Sequence, residues 1–221
     1  MIKSYTKNCK EYDNKYSSGY GLQYPEGYII RICKQIIEFQ EKMSNPTILD
    51  YGCGNGIHLE YFSSLWPTSE LFGLDISSNA IEQAKKRTSL VNARLEVCKP
   101  VPDINNIYLN QKYDLILSNQ VLYYLEDKDV KNLINQFYDL LNKSGIIIIS
   151  WIGLENHYFG LSKKINNSSL RTVSLERRLK EETQINFKNK IEFSTFFSKF
   201  KKLSLGYYDS IIREDEGSTM H

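Results

Sequence analysis

Residues 48–56 read Ile-Leu-Asp-Tyr-Gly-Cys-Gly-Asn-Gly, an aliphatic strand pattern running into three alternate glycines. A helical pattern, Ile57–Leu65, follows at once. Glycines allow a tight turn and a close approach of ligand to backbone, and the start of the next helix points unpaired N–H groups at that ligand. A glycine-rich loop alone is an ordinary turn. What restricts the fold is that the strand-then-helix unit recurs. Further strand patterns cover Glu70–Asp75, 93–98, Tyr113–Ser118 and 146–151, and helical patterns cover 25–43, 78–87 and 129–141. In the last, Val130, Leu133, Ile134 and Phe137 share one face. Short strands alternating with helices imply βαβ units. Right-handed crossovers then make an α/β, doubly wound, mostly parallel sheet with helices on both faces. The strands ILDY, DLIL and IIII suit a sheet buried on both sides.

A second signal lies about 20 residues beyond the glycines. Asp75 ends the strand Leu71-Phe72-Gly73-Leu74-Asp75 and precedes Ile76. An acid there accepts hydrogen bonds from ribose hydroxyls in nucleotide-binding α/β folds. With these residues in view, 47–56 resemble the first motif of class I S-adenosylmethionine-dependent methyltransferases, and 71–76 resemble the acidic motif that follows it. Tyr113–Leu122 resembles the family's fourth-strand motif, and 140–145 resemble its turn into the fifth strand. The resemblance covers about residues 27–151. It implies S-adenosyl-L-methionine as cofactor and a seven-stranded-type sheet. It also implies that Gly52, Cys53 and Gly54 line the methionine moiety, Asp50 orients its amino group, Asp75 holds the ribose and Ile76 packs on adenine. Asn119 would lie beneath the sulfonium with Gln120 beside it, and Tyr24, with Tyr20, would close the site from the lead-in. Two departures stand out. Cys98-Lys99-Pro100 replaces the acid that many relatives carry for adenine, and Ser-Asn-Gln-Val replaces the Asn-Pro-Pro-Tyr run of many amide and nucleic-acid N-methyltransferases.

Candidates for the chemistry lie downstream. Tyr123 and Tyr124 follow the fourth strand, where an acceptor would approach, and either orients it or packs the rim. His157, in the segment after the fifth strand, is a candidate general base. His58 reads as a helix-start residue. No grouping has metal-ligand spacing, and Cys9, Cys33, Cys53 and Cys98 form no C-x-x-C pair. The lead-in SSGYGLQYPEGYIIR and residues 203–208 resemble methyltransferases of bacterial surface-polysaccharide gene clusters. That resemblance implies a sugar, nucleotide-sugar or phosphoryl acceptor.

The bulk properties exclude little. Net charge is +2 over 221 residues, so charge names no partner, and nucleic acid is not expected. An RNA methyltransferase would need a basic stripe with interleaved aromatics, and only the lysines and arginines of 163–190 offer one. An NAD-dependent oxidoreductase would need G-x-G-x-x-G, whereas Gly52, Gly54 and Gly56 are followed by Ile57. A non-catalytic partner subunit is the remaining alternative. With no apolar leader or long apolar run, a cytoplasmic protein acting on a small-molecule acceptor is expected.

The expected organisation is a single domain, 1–221. Residues 1–26 form an irregular lead-in and lid, 27–151 the cofactor-binding core, and 152–190 an acceptor-side insertion containing a helix at 173–183. Residues 191–221 supply a helix at 191–200 and a sheet edge. A sixth strand at 202–212 and a turn at 214–217 leave only Ser218 to His221 for a seventh, so the final strand is expected to be incomplete. The acceptor is expected near Tyr123 and Tyr124, beneath a lid formed by 1–26 and 152–190.

Overall fold

The computed structural model describes residues 2–39, 43, 45–175, 181–208, 211–214 and 217–220. They fall into two compact units, Met1–Asn119 with Asp139–Ile149, and Gln120–Tyr138 with Ser150–His221.

The first unit opens with α1 (Ile2–Ser17) and α2 (Gly27–Phe39), then alternates β1 (Thr47–Tyr51), α3 (Ile57–Leu65), β2 (Glu70–Asp75), α4 (Ser78–Lys85), β3 (Arg94–Val97), α5 (Ile104–Ile107) and β4 (Tyr113–Ser118). After α6 (Asp127–Leu140), which up to Tyr138 belongs to the second unit, β5 (Leu141–Ile149) completes the first. The sheet order is β3-β2-β1-β4-β5, with every pair parallel. That is the doubly wound α/β sheet read from the sequence, but with five strands rather than seven among the described residues. The order reverses between β1 and β4, and open α/β sheets bind ligands at the carboxyl ends of strands flanking such a reversal.

Burial explains why these segments became strands and helices. Ile48, Leu71, Leu95, Leu115, Leu117, Ile146 and Ile148 point to one face of the sheet core, against Leu59 and Phe62 of α3, Ile81 and Ala84 of α4, and Ile29 and Cys33 of α2. Elsewhere in this unit Phe72 meets the rings of Tyr108 and Tyr113 edge-on, at 5.0 and 5.4 Å between centroids. Asn142 to Gly145 do interrupt the chain as expected, though as a register shift inside β5 rather than as a gap before it: Tyr113 pairs with Leu141 and Leu115 with Ile146.

The lead-in is irregular only over residues 18–26, and residues 2–17 form α1. Glycine and proline are missing from 2–17, and Glu11 and Lys15 form an i,i+4 ion pair at 2.8 Å. Helix α1 is anchored by Asp13, whose Oδ1 accepts hydrogen bonds from the Ser77 and Ser78 hydroxyls and from the Asn79 N–H, at 2.9–3.1 Å. Asp13 thus adds a carboxylate to the N-terminus of α4, where Ser77 already caps the Ala80 N–H. A negative charge is favoured there, and these hydrogen bonds hold the Asp13 carboxyl below the usual carboxylate range.

The second unit contains α7 (His157–Leu161), β6 (Lys163–Lys164), β7 (Arg171–Leu175), β8 (Glu181–Ile185), α8 (Lys190–Phe196), β9 (Ile211–Glu214) and β10 (Gly217–Met220). β6, β7 and β8 form an antiparallel sheet. This corrects the helix expected at 173–183. Thr172, Val173, Thr183 and Ile185 are β-branched, and Val173 and Ile185 are buried in a cluster with Tyr123 and Phe187. Residues 176–180 lie outside the described residues. The strand expected at 202–212 is also corrected. Residues 201–208 carry no regular structure, and the strand begins at Ile211 to pair with β10 in a separate hairpin. The helix expected at 191–200 is the shorter α8, whose start is closed by a capping box between Asn189 and Glu192. Among the described residues, no helix is long and apolar enough to cross a membrane.

Gly73 in β2 tests the packing. An added Cβ would stand 2.7 Å from Leu95 Cδ2 and 2.9 Å from both Cys53 Sγ and Leu59 Cδ1. Overpacking of this kind costs about 1–3 kcal/mol. Gly73→Ala is expected to lower Tm by roughly 2–12 °C, measured by thermal unfolding followed by circular dichroism.

Candidate functional site

The first unit brings together most of the residues singled out in the sequence. The chain leaves β1 at Tyr51 and turns through Gly52, Gly54 and Gly56, whose φ values are +82°, +52° and +78°. Residues with a Cβ pay about 1–2 kcal/mol for that region, so the loop needs glycine there. The N–H groups of Gly52 and Cys53 both donate to the Leu74 carbonyl, at 2.7 and 3.0 Å, bending the loop back over the end of β2. Cys53 is buried, and burial pushes its thiol well up, away from a nucleophilic thiolate.

Asp75 ends β2 beside this loop. Its Oδ2 accepts from the Gly54 N–H at 2.8 Å and its Oδ1 from the Ser77 N–H at 2.9 Å. Burial raises its pKa, and the backbone donors oppose that rise. Each carboxylate oxygen accepts more than one hydrogen bond, so the group can hold further donors. Ile76, next in the chain, is half-buried. Where an acid was missing after β3, the Cys98 N–H donates to the Asp75 carbonyl at 2.8 Å, and the Tyr51 hydroxyl donates to the Pro100 carbonyl.

Asp50 lies one strand over, opposite Gly73 in the β1–β2 register. It is 1% exposed, and its Oδ2 has no hydrogen-bond partner. Burial, reinforced by the negative charge of Asp75, lifts its pKa to about 8. Two buried carboxylates thus stand at the ends of adjacent parallel strands, beside the glycine turn.

The lead-in covers this loop with a different tyrosine from the expected one. Tyr24 is 79% exposed and Tyr20 55% exposed. The ring over the loop is that of Tyr16 on α1, whose hydroxyl occupies the space that a Cβ on Gly54 would enter. Burial and the nearby Asp75 raise the Tyr16 pKa. Sequence reading misses this residue because the glycines and tyrosines of 1–26 point to an irregular segment. The helical register that places Asp13 and Tyr16 on one side, three apart, was the available signal. His58 starts α3 as expected. It is buried, with its pKa lowered to about 4, and its Nε2 accepts from the Glu26 N–H at 3.4 Å. Asn119, 8% exposed, follows β4, and its Oδ1 accepts from the Tyr28 hydroxyl.

The other candidates belong to the second unit. Gln120 is exposed, with φ +58°, and its N–H donates to Ser150 Oγ at 2.7 Å. Tyr123 is 5% exposed in the cluster with Val173, Ile185 and Phe187, its ring centroid 4.5 Å from that of half-buried Tyr124. Its carbonyl accepts from the N–H of Asn186, whose amide donates to the Leu125 carbonyl and to Asp127 Oδ1. His157 is exposed, at the first residue of α7.

Comparison with known proteins agrees with this geometry. Residues 42–195 match the family described as "Methyltransferase domain". The chain therefore belongs to that family, and its fold is the class I fold of S-adenosylmethionine-dependent methyltransferases. It is 33% identical over 144 residues to a malonyl-[acyl-carrier protein] O-methyltransferase of Ilyobacter polytropus, covering 64% of this chain and 52% of that one. It is 29% identical over 142 residues to the enzyme of that name from Bacillus anthracis, covering 64% and 48%. The chain thus spans about half the length of these relatives. A solved structure from Pyrococcus horikoshii OT3 shares the fold, with a TM-score of 0.64 at 15% identity, covering 93% of this chain and 96% of that one.

The buried carboxyl of Asp50 makes stability depend on pH. The folded domain holds this proton more tightly than the unfolded chain does, because its pKa is raised from 3.8 to about 8. The contribution of Asp50 is therefore fully present below pH 4 and declines as pH rises through 8. In Asp50→Asn, denaturant titrations between pH 5 and 9 are expected to lose this part of the downward slope.

Proposed function

We propose that this domain transfers the methyl group of S-adenosylmethionine to an oxygen of a small anionic acceptor, a carboxylate being the favoured class. The observation that carries the reading is the pair of buried acids, Asp50 and Asp75, beside a glycine turn that only left-handed backbone can make. The residues fit the cofactor. The unpartnered Asp50 Oδ2 is an acceptor for a cationic amino group. Asp75 retains acceptor capacity for ribose hydroxyls, and the Gly52, Cys53 and Gly54 backbone can approach the methionine moiety closely. Ile76 offers an apolar surface for adenine. When bound, the cofactor supplies a sulfonium methyl that is already a strong electrophile. The protein must then hold the acceptor in line and exclude water, and positioning of this kind supplies about 7–11 kcal/mol in favourable cases.

The acceptor class rests on the relatives and on the absence of any need for a base. Those relatives are named for methylating a malonyl group borne on a carrier protein. An ionised carboxylate attacks without surrendering a proton, which suits a chain whose candidate base His157 is exposed. This favours a carboxylate over the sugar or phosphoryl acceptor expected from the sequence.

Calorimetry is expected to show binding of S-adenosylhomocysteine and none of NAD. Asp75→Ala is expected to weaken that binding by about 1.5–3 kcal/mol, the range for hydrogen bonds to a charged group. Label from methyl-labelled S-adenosylmethionine is expected in malonyl thioesters, offered as the coenzyme A and carrier-protein forms, and released as methanol by mild base, as a methyl ester requires. Label stable to base, or found only on nucleotide-sugars or RNA, would overturn the carboxylate reading.

A further inference from the structure

Helix α1 meets the rest of the first unit through a short link. Its carboxyl end is closed by Gly19, with φ +89°, where the Tyr20 N–H donates back to the Lys15 carbonyl at 3.0 Å. Beyond the link the chain is fastened to the glycine loop: the Leu22 carbonyl accepts from Asn55 Nδ2 at 2.9 Å. Between the closed helix and this fastening stand Tyr20 and Gly21, and Gly21 has φ +147°, in a region that glycine enters readily. A few residues at the end of an element are enough to serve as a hinge.

The carboxyl-terminal half of α1 is held down by polar contacts. Asp13 Oδ1 takes three donors at the start of α4, the Ser77 and Ser78 hydroxyls and the Asn79 N–H. Asn79 Nδ2 returns a hydrogen bond to the Asp13 carbonyl at 3.2 Å, and Gln83 Nε2, one turn further along α4, donates to the Tyr16 carbonyl at 2.7 Å. Among the residues from Lys10 to Ser17 none is fully buried. A segment fastened by hydrogen bonds at the surface, with few buried apolar side chains, opens more readily than the core beneath it. It nevertheless carries the ring that lies on Gly54, with Tyr20 edge-on to that ring at 5.5 Å.

We propose that Asp13 is a positioning residue of the cofactor site: by capping α4 it sets α1 down so that Tyr16 closes over the glycine loop, and its release opens the loop for cofactor to enter and leave. This rests on the reading of the glycine loop as the place where S-adenosylmethionine binds, and it holds whichever acceptor is methylated. Asp13 acts through the helix. It precedes Tyr16 by three residues, so the two side chains share one side of α1. The cap lies after β2 and the ring lies over the loop after β1, so the clasp spans both strand ends that carry the buried acids. The ring that shields the loop from water also stands in the way of a ligand reaching Gly54. A catalytic cycle therefore needs it to lift, and opening of this sort limits turnover in many enzymes.

Surface plasmon resonance with S-adenosylhomocysteine over the immobilised full chain separates entry from exit. Asp13→Ala is expected to raise both the association and the dissociation rate, the latter by about fivefold or more, roughly the weight of a lost helix cap. Asp13→Asn keeps the oxygen that takes all three donors and is expected to stay within about twofold of the wild type. Hydrogen exchange followed by mass spectrometry should show faster exchange in α1 of Asp13→Ala, with β1 and β2 as protected as before. Adding Tyr16→Ala to Asp13→Ala should change the dissociation rate little further, because the ring is already withdrawn. A rise in dissociation without one in association marks a lost contact rather than a gate and overturns the proposal. So do wild-type rates or wild-type α1 exchange in Asp13→Ala, and so does Asp13→Asn behaving like Asp13→Ala. Should Asp13→Ala lose the protection of β1 and β2, Ser78→Ala, which removes one donor from an exposed position, takes its place under the same criteria at about twofold. A wild type that binds no S-adenosylhomocysteine would sink the cofactor reading and the proposal together, whereas one that binds it while the variants fail these criteria sinks the proposal alone.

Discussion

The pair of hydrogen bonds from the Gly54 and Ser77 N–H groups to the Asp75 carboxylate organises the end of the sheet. It joins the loop after β1 to the turn after β2, so neither can move without exposing a buried charge or two backbone donors. Breaking hydrogen bonds to a buried charge is costly because the unpaired group keeps its desolvation penalty. The left-handed glycines permit the turn, while Asp75 chooses its orientation. Everything else near the crevice arranges itself around that fixed point: Asp50 one strand away, Tyr16 over the loop, and the start of α4 capped by Ser77.

The same arrangement leaves the Asp50 carboxyl only partly satisfied. Most buried polar atoms in folded proteins have a partner. Asp50 Oδ2 does not, and the carboxyl responds by holding its proton. A buried carboxyl of this kind is costly to maintain, and proteins keep such groups where binding or chemistry occurs. The polar network of the second unit differs in kind. Glu126 accepts from the Ser168 and Ser169 hydroxyls and the Ser169 N–H, and Asp127 is paired with Lys188 at 2.9 Å. Both carboxyls are held below the usual range by these partners. That network is built for cohesion.

Much of the first unit was legible from sequence because its signals are local. The ILDYGCGNG loop and the strand ending in Asp75 each carry their signal within a few residues; the same is true in the second unit of the α6 face of Val130, Leu133, Ile134 and Phe137. Legibility ended where contacts span long separations. Nothing near residue 13 announces that its carboxylate caps a helix beginning at 78, and nothing near residue 28 announces a partner at 119. The segment around Val173 was misread for a related reason. Its strand identity depends on pairing with Glu181–Ile185 and on burying Val173 beside Tyr123 and Phe187, and a polar stretch with scattered apolar residues fits a helix about as well until its partner is known.

The docking of α1 has a consequence for how the domain assembles. Its anchor, Asp13, meets Asn79 across 66 positions of chain, so the contact forms only after the loop between them has closed, and long closures are slow to nucleate. β1 pairs with β2, and α3 packs on their sheet, without any help from α1. Although α1 leaves the ribosome before every strand of that sheet, its Asp13 anchor forms only when the start of α4 exists. Synthesis order and docking order are therefore reversed for this anchor.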